Sequence, residues 1–157
     1  VQFHYGIARS SFSLNGVPKV QLDPSAFLAD PELIEAFEKR SIPVACDEDR
    51  VLFKQGDPPV GIYILSKGAA TVSMDSGHEG IEFSCEATSG SLLGLPALIA
   101  NRPYSLSAVA RKGAALGFVP AEVCHELMQT DPAIMVKILQ VLAAEVRSAR
   151  LAIIQQS

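Results

Sequence analysis

The feature that most constrains this chain is where its glycines and prolines fall. From Ile42 to Val119 short apolar runs are broken by Gly or Pro at close intervals, whereas from Ala133 to Gln155 neither residue occurs. The runs are Val51–Phe53, Ile62–Leu65, Ala69–Met74, Ile81–Cys85, Ser105–Ala110 and Ala114–Val119. Between them stand Gln55-Gly56-Asp57-Pro58-Pro59, Lys67-Gly68, Ser76-Gly77-His78-Glu79-Gly80, Ser89-Gly90 and Lys112-Gly113. Segments of this length and spacing predict the strands of a β-sandwich or barrel. The uninterrupted stretch predicts one long helix. Asp131-Pro132 opens it with a capping carboxylate and a proline suited to the first turn. Asp30-Pro31-Glu32 carries the same signature and predicts a helix to about Arg40, with Leu33, Ile34 and Phe37 on one face. Pro43 biases Ile42 away from helix and limits that segment. Leu95-Pro96-Ala97-Leu98-Ile99 predicts a short helix inserted between strands, and Pro120–Gln129 another. The fold class is therefore mostly β with flanking helices. Residues 1–30, with turn signals at Asn15-Gly16 and Val17-Pro18, read as an irregular N-terminal arm carrying at most one short strand.

Composition narrows the function classes. The chain has 157 residues, 48% of them hydrophobic and 19% charged, enough to bury a core. A net charge of −4 argues against a general nucleic-acid binder. Cys46, Cys85 and Cys124 are dispersed and odd in number, with no CxxC, which disfavours a zinc ribbon, a redox pair or a secreted disulfide framework. No signal peptide and no membrane-spanning run is visible, so the expected setting is cytoplasmic.

The long helix has two apolar faces. Met135, Leu139, Leu142, Val146, Ala149 and Ile153 follow spacings of 4, 3, 4, 3 and 4, the seam of a coiled coil. Ile134, Ile138 and Val141 make a second, shorter face. A helix apolar on two sides packs twice. One face is expected to cover the β-structure and the other to meet a partner helix in a parallel homodimer.

Three segments together resemble the cyclic-nucleotide-binding domain of the catabolite-activator (CRP/FNR) family. Gly56-Asp57, Ile62-Tyr63-Ile64-Leu65 and Gly68 look like the family's G-D turn, apolar strand and closing glycine. Gly94–Ala110, reading GLPALIANRPYSLSAVA, is similar to the phosphate-binding cassette, roughly G-E-[LI]-A-x(4,5)-P-R-[SAT]-A-T-V. Asp131-Pro132 and the helix after it look like the dimer helix. The resemblance implies an eight-stranded double-stranded β-helix (jelly roll) plus a long C-terminal dimer helix. It divides the chain into an arm at 1–30, a β-roll with flanking helices at 31–130, and a dimerisation helix at 131–157.

The two charged residues of the cassette are absent. Leu95 stands where the family has the Glu that binds the ribose hydroxyl, and Tyr104 where it has the Arg that pairs with the cyclic phosphate. Gly94, Ser105 and Ser107 still match. A desolvated phosphodiester without a cation costs several kcal/mol, roughly, while a tyrosine hydroxyl offers one neutral hydrogen bond of about 1 kcal/mol. The helix after Gly94 still presents backbone N–H groups to an anion, less the one that Pro96 removes. Weak or absent binding of cAMP and cGMP is expected. The resemblance places the pocket at Gly94, Leu95, Pro96, Ala97, Tyr104, Ser105, Leu106 and Ser107, with Ala149 and Arg150 contributed by the long helix. Tyr104 either contacts a small ligand or fills the vacated phosphate site. Arg150 either supplies charge to the pocket or is an exposed residue of the last turns.

The function expected is a non-enzymatic regulatory or sensor module of CRP/FNR type. Its rivals are a true cyclic-nucleotide sensor using Arg150 or Arg102 as substitute, and a ligand-free dimerisation or protein-interaction module. No cofactor or metal is expected, and the small-molecule effector, if any, is unassigned. No helix-turn-helix appears before Ser157 or within 1–30, so this chain alone is not expected to read DNA. Enzyme motifs are lacking: no GxSxG, HExxH, P-loop or HxH-x(3,4)-E occurs. Cys124-His125, neighbours on a predicted helix, point about 100° apart and do not form a dyad. His78 reads as an exposed loop residue.

Overall fold

A computed structural model describes residues 10–12, 18–21, 23–75 and 82–156. The strands run β1 (Ser10–Phe12), β2 (Pro18–Gln21), β3 (Ile42–Ala45), β4 (Arg50–Phe53), β5 (Gly61–Lys67), β6 (Ala70–Asp75), β7 (Glu82–Ala87), β8 (Ser91–Leu93), β9 (Ser107–Ala110) and β10 (Ala115–Pro120). The helices are α1 (Pro31–Glu38), α2 (Leu95–Ala100), α3 (Ala121–Thr130) and α4 (Pro132–Gln156), and a 3₁₀ turn spans Pro24–Phe27. The expected jelly roll is present as β3–β10. The sheets have the orders β1-β2-β7-β6-β9-β4 and β3-β10-β5-β8.

The N-terminal segment differs from the expected irregular arm. β1 and β2 pair antiparallel, and β2 pairs parallel with β7, so this hairpin widens the first sheet to six strands. Pro18 and the mixed polarity of 10–21 masked the signal, because an edge hairpin needs no continuous apolar alternation. The short strands β3 and β8 were absent from the runs singled out by apolar content. β8 is a three-residue strand directly before α2, and β3 contains Pro43.

Three layers result. β5 shows why: Leu65 points into the roll with Phe53, Val72, Phe83 and Leu116, while Ile62 and Ile64 point the other way, with Leu33, Phe37, Leu98, Cys124 and Ile138. β5, β8 and β10 of the four-stranded sheet thus lie between the six-stranded sheet and a helical layer, while β3 at its edge is mostly exposed. Asp30 caps α1 by accepting a hydrogen bond from the Glu32 amide at 2.8 Å, and Asp131 accepts from the Ala133 amide at 3.1 Å. The Lys137 ammonium lies 3.1 Å from Asp30 and 3.3 Å from Glu32, tying the start of α4 to the start of α1. The hairpin tip Ser76–Gly80, with His78, lies outside the described residues.

Candidate functional site

The cassette lies between β8 and β9. Gly94 enters it at φ +94°, the left-handed region that glycine adopts at little cost. A Cβ there would stand 3.0 Å from the Tyr104 ring and 3.2 Å from the Gly61 carbonyl oxygen. Conformation and space both ask for glycine. α2 then runs one and a half turns and stops at Asn101, itself left-handed at φ 51°, a C-terminal conformation that Asn tolerates. Arg102–Leu106 return the chain to β9.

Tyr104 is the centre of this region and is 2% exposed. Its ring stacks on Phe53 with centroids 4.0 Å apart and planes 20° apart. Its hydroxyl donates to the Gly61 carbonyl at 2.8 Å and accepts from the Val60 and Gly61 amides at 3.1 and 3.3 Å. The backbone of Tyr104 is held as firmly: its N–H donates to the Asp57 carbonyl at 2.9 Å and its C=O accepts from the Gly56 amide at 2.8 Å. The G-D turn and the cassette are therefore zipped together. Gln55 extends the lock, its side chain pairing both backbone groups of Asp75 at 2.8 and 2.9 Å. Ring and hydroxyl occupy the space at the head of β5, and every polar atom of the side chain has partners.

The cavity that remains has a volume of about 10 Å³, room for one water-sized group. Of the residues expected at the pocket, Gly94, Pro96, Ala97, Tyr104, Ser105 and Leu106 line it together with Phe53. Leu95 does not. It is fully buried in the helical layer with Leu98, since residues three apart on so short a helix share a face. Ser107 turns to the G-D turn, its hydroxyl accepting the Gln55 amide at 2.8 Å. Arg150 is exposed and lines a groove on the outer face of α4 with Leu139, Leu142, Ala143, Val146 and Arg147. The side chain of Ala149 lies outside the described residues, as does that of Ile153.

Among the described residues, the group that α4 does send to the cassette is Glu145. It lies five residues before Arg150, which places the two about 140° apart around the helix. Glu145 is half-buried, and no hydrogen bond or ion pair to it is found among the described residues. Burial pushes its carboxyl up to about 8. The sequence held a signal for it. Ile134, Ile138 and Val141 continue at helical spacing to position 145, so a carboxylate ends an apolar stripe.

Nucleophilic chemistry has no footing at the cysteines. All three thiols are buried, and burial drives those of Cys85 and Cys124 up to about 12. Cys124 points into the helical layer and His125 to the surface, as their adjacency on a helix requires. No group of metal-ligating side chains occurs among the described residues, and no helix among them is long and apolar enough to cross a membrane.

Comparison with known proteins bears on the same region. The sequence model of the family described as "Cyclic nucleotide-binding domain" matches residues 43–131, more than half of the chain. No curated protein matches the chain. Among solved structures, the catabolite activator protein of Thermus thermophilus superposes with a TM-score of 0.68 at 22% identity, over 85% of this chain and 62% of that one. A transcriptional regulator of Thermotoga maritima gives 0.62 at 16% identity, over 79% of this chain and 98% of that one. The sensor domain of the transcriptional regulator DNR of Pseudomonas aeruginosa gives 0.56 at 16% identity, over 76% and 78%. The chain thus spans about three-fifths of the length of the Thermus protein.

Proposed function

The chain belongs to the cyclic nucleotide-binding domain family, and we propose that it is a non-enzymatic regulatory module of CRP/FNR type whose cassette has given up cyclic nucleotides. Tyr104 carries this reading. Its ring and hydroxyl fill the position that the resemblance gives to the phosphate-pairing arginine, with all hydrogen bonds met inside the protein. For cAMP to enter, Tyr104 must leave Phe53 and abandon the Val60 and Gly61 backbone groups. An unpaired buried amide or carbonyl costs about 1–3 kcal/mol. What the nucleotide then meets is the Glu145 carboxyl, with no cation among the described residues lining the cavity. Displacement of Tyr104 and the lack of an answering cation both oppose an anion.

The regulatory output we assign to α4. Its outer face leaves Leu139 and Val146 more than half exposed along the predicted seam. A parallel pairing of two chains covers that face and completes the module as a homodimer. Calorimetric titration with cAMP and cGMP tests the cassette reading: no heat of binding up to millimolar nucleotide is expected, and micromolar affinity overturns it.

A further inference from the structure

Among the described residues that line it, the cassette cavity keeps one carboxyl, Glu145, whose charge when ionised is wrong for the anion the fold family is known for. Glu145 projects from α4 into a recess otherwise walled by Phe53, Pro96, Ala97, Tyr104 and Leu106, with exposed Ser105 among its lining residues. We propose that this recess receives the primary ammonium group of a small amine, held by the Glu145 carboxylate against the stacked rings of Phe53 and Tyr104. The inference rests on the proposed loss of nucleotide binding, and adds the class of ligand the same site would take.

Three observations carry it. A volume of about 10 Å³ excludes a nucleotide but suits one water-sized head group, which an ammonium is. A carboxylate attracts a desolvated cation through a charge-assisted hydrogen bond, and the aromatic rings of Phe53 and Tyr104 line the same recess. No cation lies among the described lining residues to compete: Arg147 and Arg150 line the outer groove of α4, and Arg102 is exposed beyond α2.

Among the described residues, the other titratable groups on this side are acids or neutral. On β7 the Cys85 thiol is driven upward chiefly by burial, and also by the charges of Asp23, Glu145 and Glu86. Asp23 heads the 3₁₀ turn, Glu86 belongs to β7, and Tyr104 comes from the cassette itself. None of these neutralises Glu145. The carboxyl is held protonated near neutral pH by burial, so an arriving ammonium must displace that proton. Binding therefore tightens as pH rises, by up to about tenfold per unit, until Glu145 is ionised.

Titration of the full chain with n-butylammonium chloride tests this, followed by calorimetry in two buffers of different ionisation heat. The expected result is saturable binding that releases a proton and strengthens from pH 6 to pH 8.5. Butyrate, of the wrong sign, and tetramethylammonium, too bulky for the recess, do not bind. Glu145→Gln, a neutral isostere of the protonated acid, should fold normally and lose at least tenfold in affinity. No saturation, no proton release, or equal binding by Glu145→Gln or by tetramethylammonium overturns the proposal. A separate arm with cAMP keeps the two readings apart. Nucleotide binding sinks the proposed function, whereas silence toward both ligands sinks only the ammonium site.

Discussion

The two sides of α4 have nearly the same chemistry and opposite surroundings. On the inner side Ile134, Ile138 and Val141 are 5%, 0% and 4% exposed; on the outer side Val136, Leu139 and Val146 are 57%, 56% and 55% exposed. Residue type does not separate them. What separates them is that the inner stripe meets α1, α2, α3 and the outward side chains of β5, whereas Val136, Leu139 and Val146 stay more than half exposed, only Met135 and Leu142 of the predicted seam packing partly against the helical layer. Apolar periodicity thus names a face that needs covering and leaves open what covers it. The inner stripe also ends differently, in Glu145 at the cassette.

The largest expected effect breaks the inner side. Ile138→Ala removes a fully buried side chain from the centre of the helical layer and should cost about 3–4 kcal/mol of unfolding free energy. Chemical denaturation reads this directly. A loss below about 1 kcal/mol would mean that α4 does not depend on this packing.

Next in size is the pH dependence that Glu145 imposes on the same side. Its folded-state value, raised from 4.5 to about 8, means that the folded chain binds more protons than the unfolded chain between those limits. Stability must then fall as pH rises through that window and level off above it. The loss should be roughly 2–3 kcal/mol, less than the full shift implies, because the half-buried carboxylate turns toward solvent once charged. Glu145→Gln should flatten the slope between pH 5 and 8. The acids at Asp30 and Asp49 act with the opposite sign and lower down. Their values are depressed, Asp30 mainly by the Glu32 amide and Asp49 mainly by the Lys112 amide, so their support is lost as pH falls below about 4. The difference between wild type and Glu145→Gln across pH 5–8 isolates the raised group. An unchanged slope in the variant would place the titration elsewhere.

A third change sharpens the comparison at the cassette itself. Tyr104→Phe keeps the stack on Phe53 and removes only the hydroxyl, leaving the Val60 and Gly61 backbone groups without it. A cost of about 1–2 kcal/mol is expected, measured at one pH by denaturant melts. No cost would mean that water replaces the hydroxyl readily and that Tyr104 is a weaker plug than its contacts indicate.

The fold was largely legible because its signals are local. Asp30-Pro31 and Asp131-Pro132 mark helix starts by capping, and both caps form. Gly94 and the prolines punctuate the cassette helix within a residue of where it lies. The β1–β2 hairpin was not legible, since pairing at a sheet edge is decided by β7, some sixty residues away. At the site, sequence identified Tyr104 as the substituted position but could not say that its hydroxyl reaches Gly61, a contact across 43 positions. Leu95 and Arg150 were drawn to the pocket by motif alignment alone. Side-chain direction on α2 and α4 sends one into the helical layer and the other to the outer groove. Glu145 was readable in principle, as the polar end of an apolar stripe, but a charge on a long helix reads as solvated until the opposite wall is known.

The smallest expected effect on the folded chain tests the outer side. Leu139→Ser with Val146→Ser changes two side chains that make little contact within the chain, so the unfolding free energy of the monomer should move by no more than about 0.5 kcal/mol. If a second copy covers this face, the same pair of changes should move the association equilibrium at least tenfold, because each removes an apolar side chain from the seam rather than from the core. Sedimentation across micromolar concentrations separates the two quantities. A wild-type chain that stays monomeric, or a variant that dimerises as well as wild type, would leave the outer stripe without its assigned partner. A large loss of monomer stability would instead show that Leu139 and Val146 already have neighbours in the chain, and the contrast between the two sides of α4 would be lost.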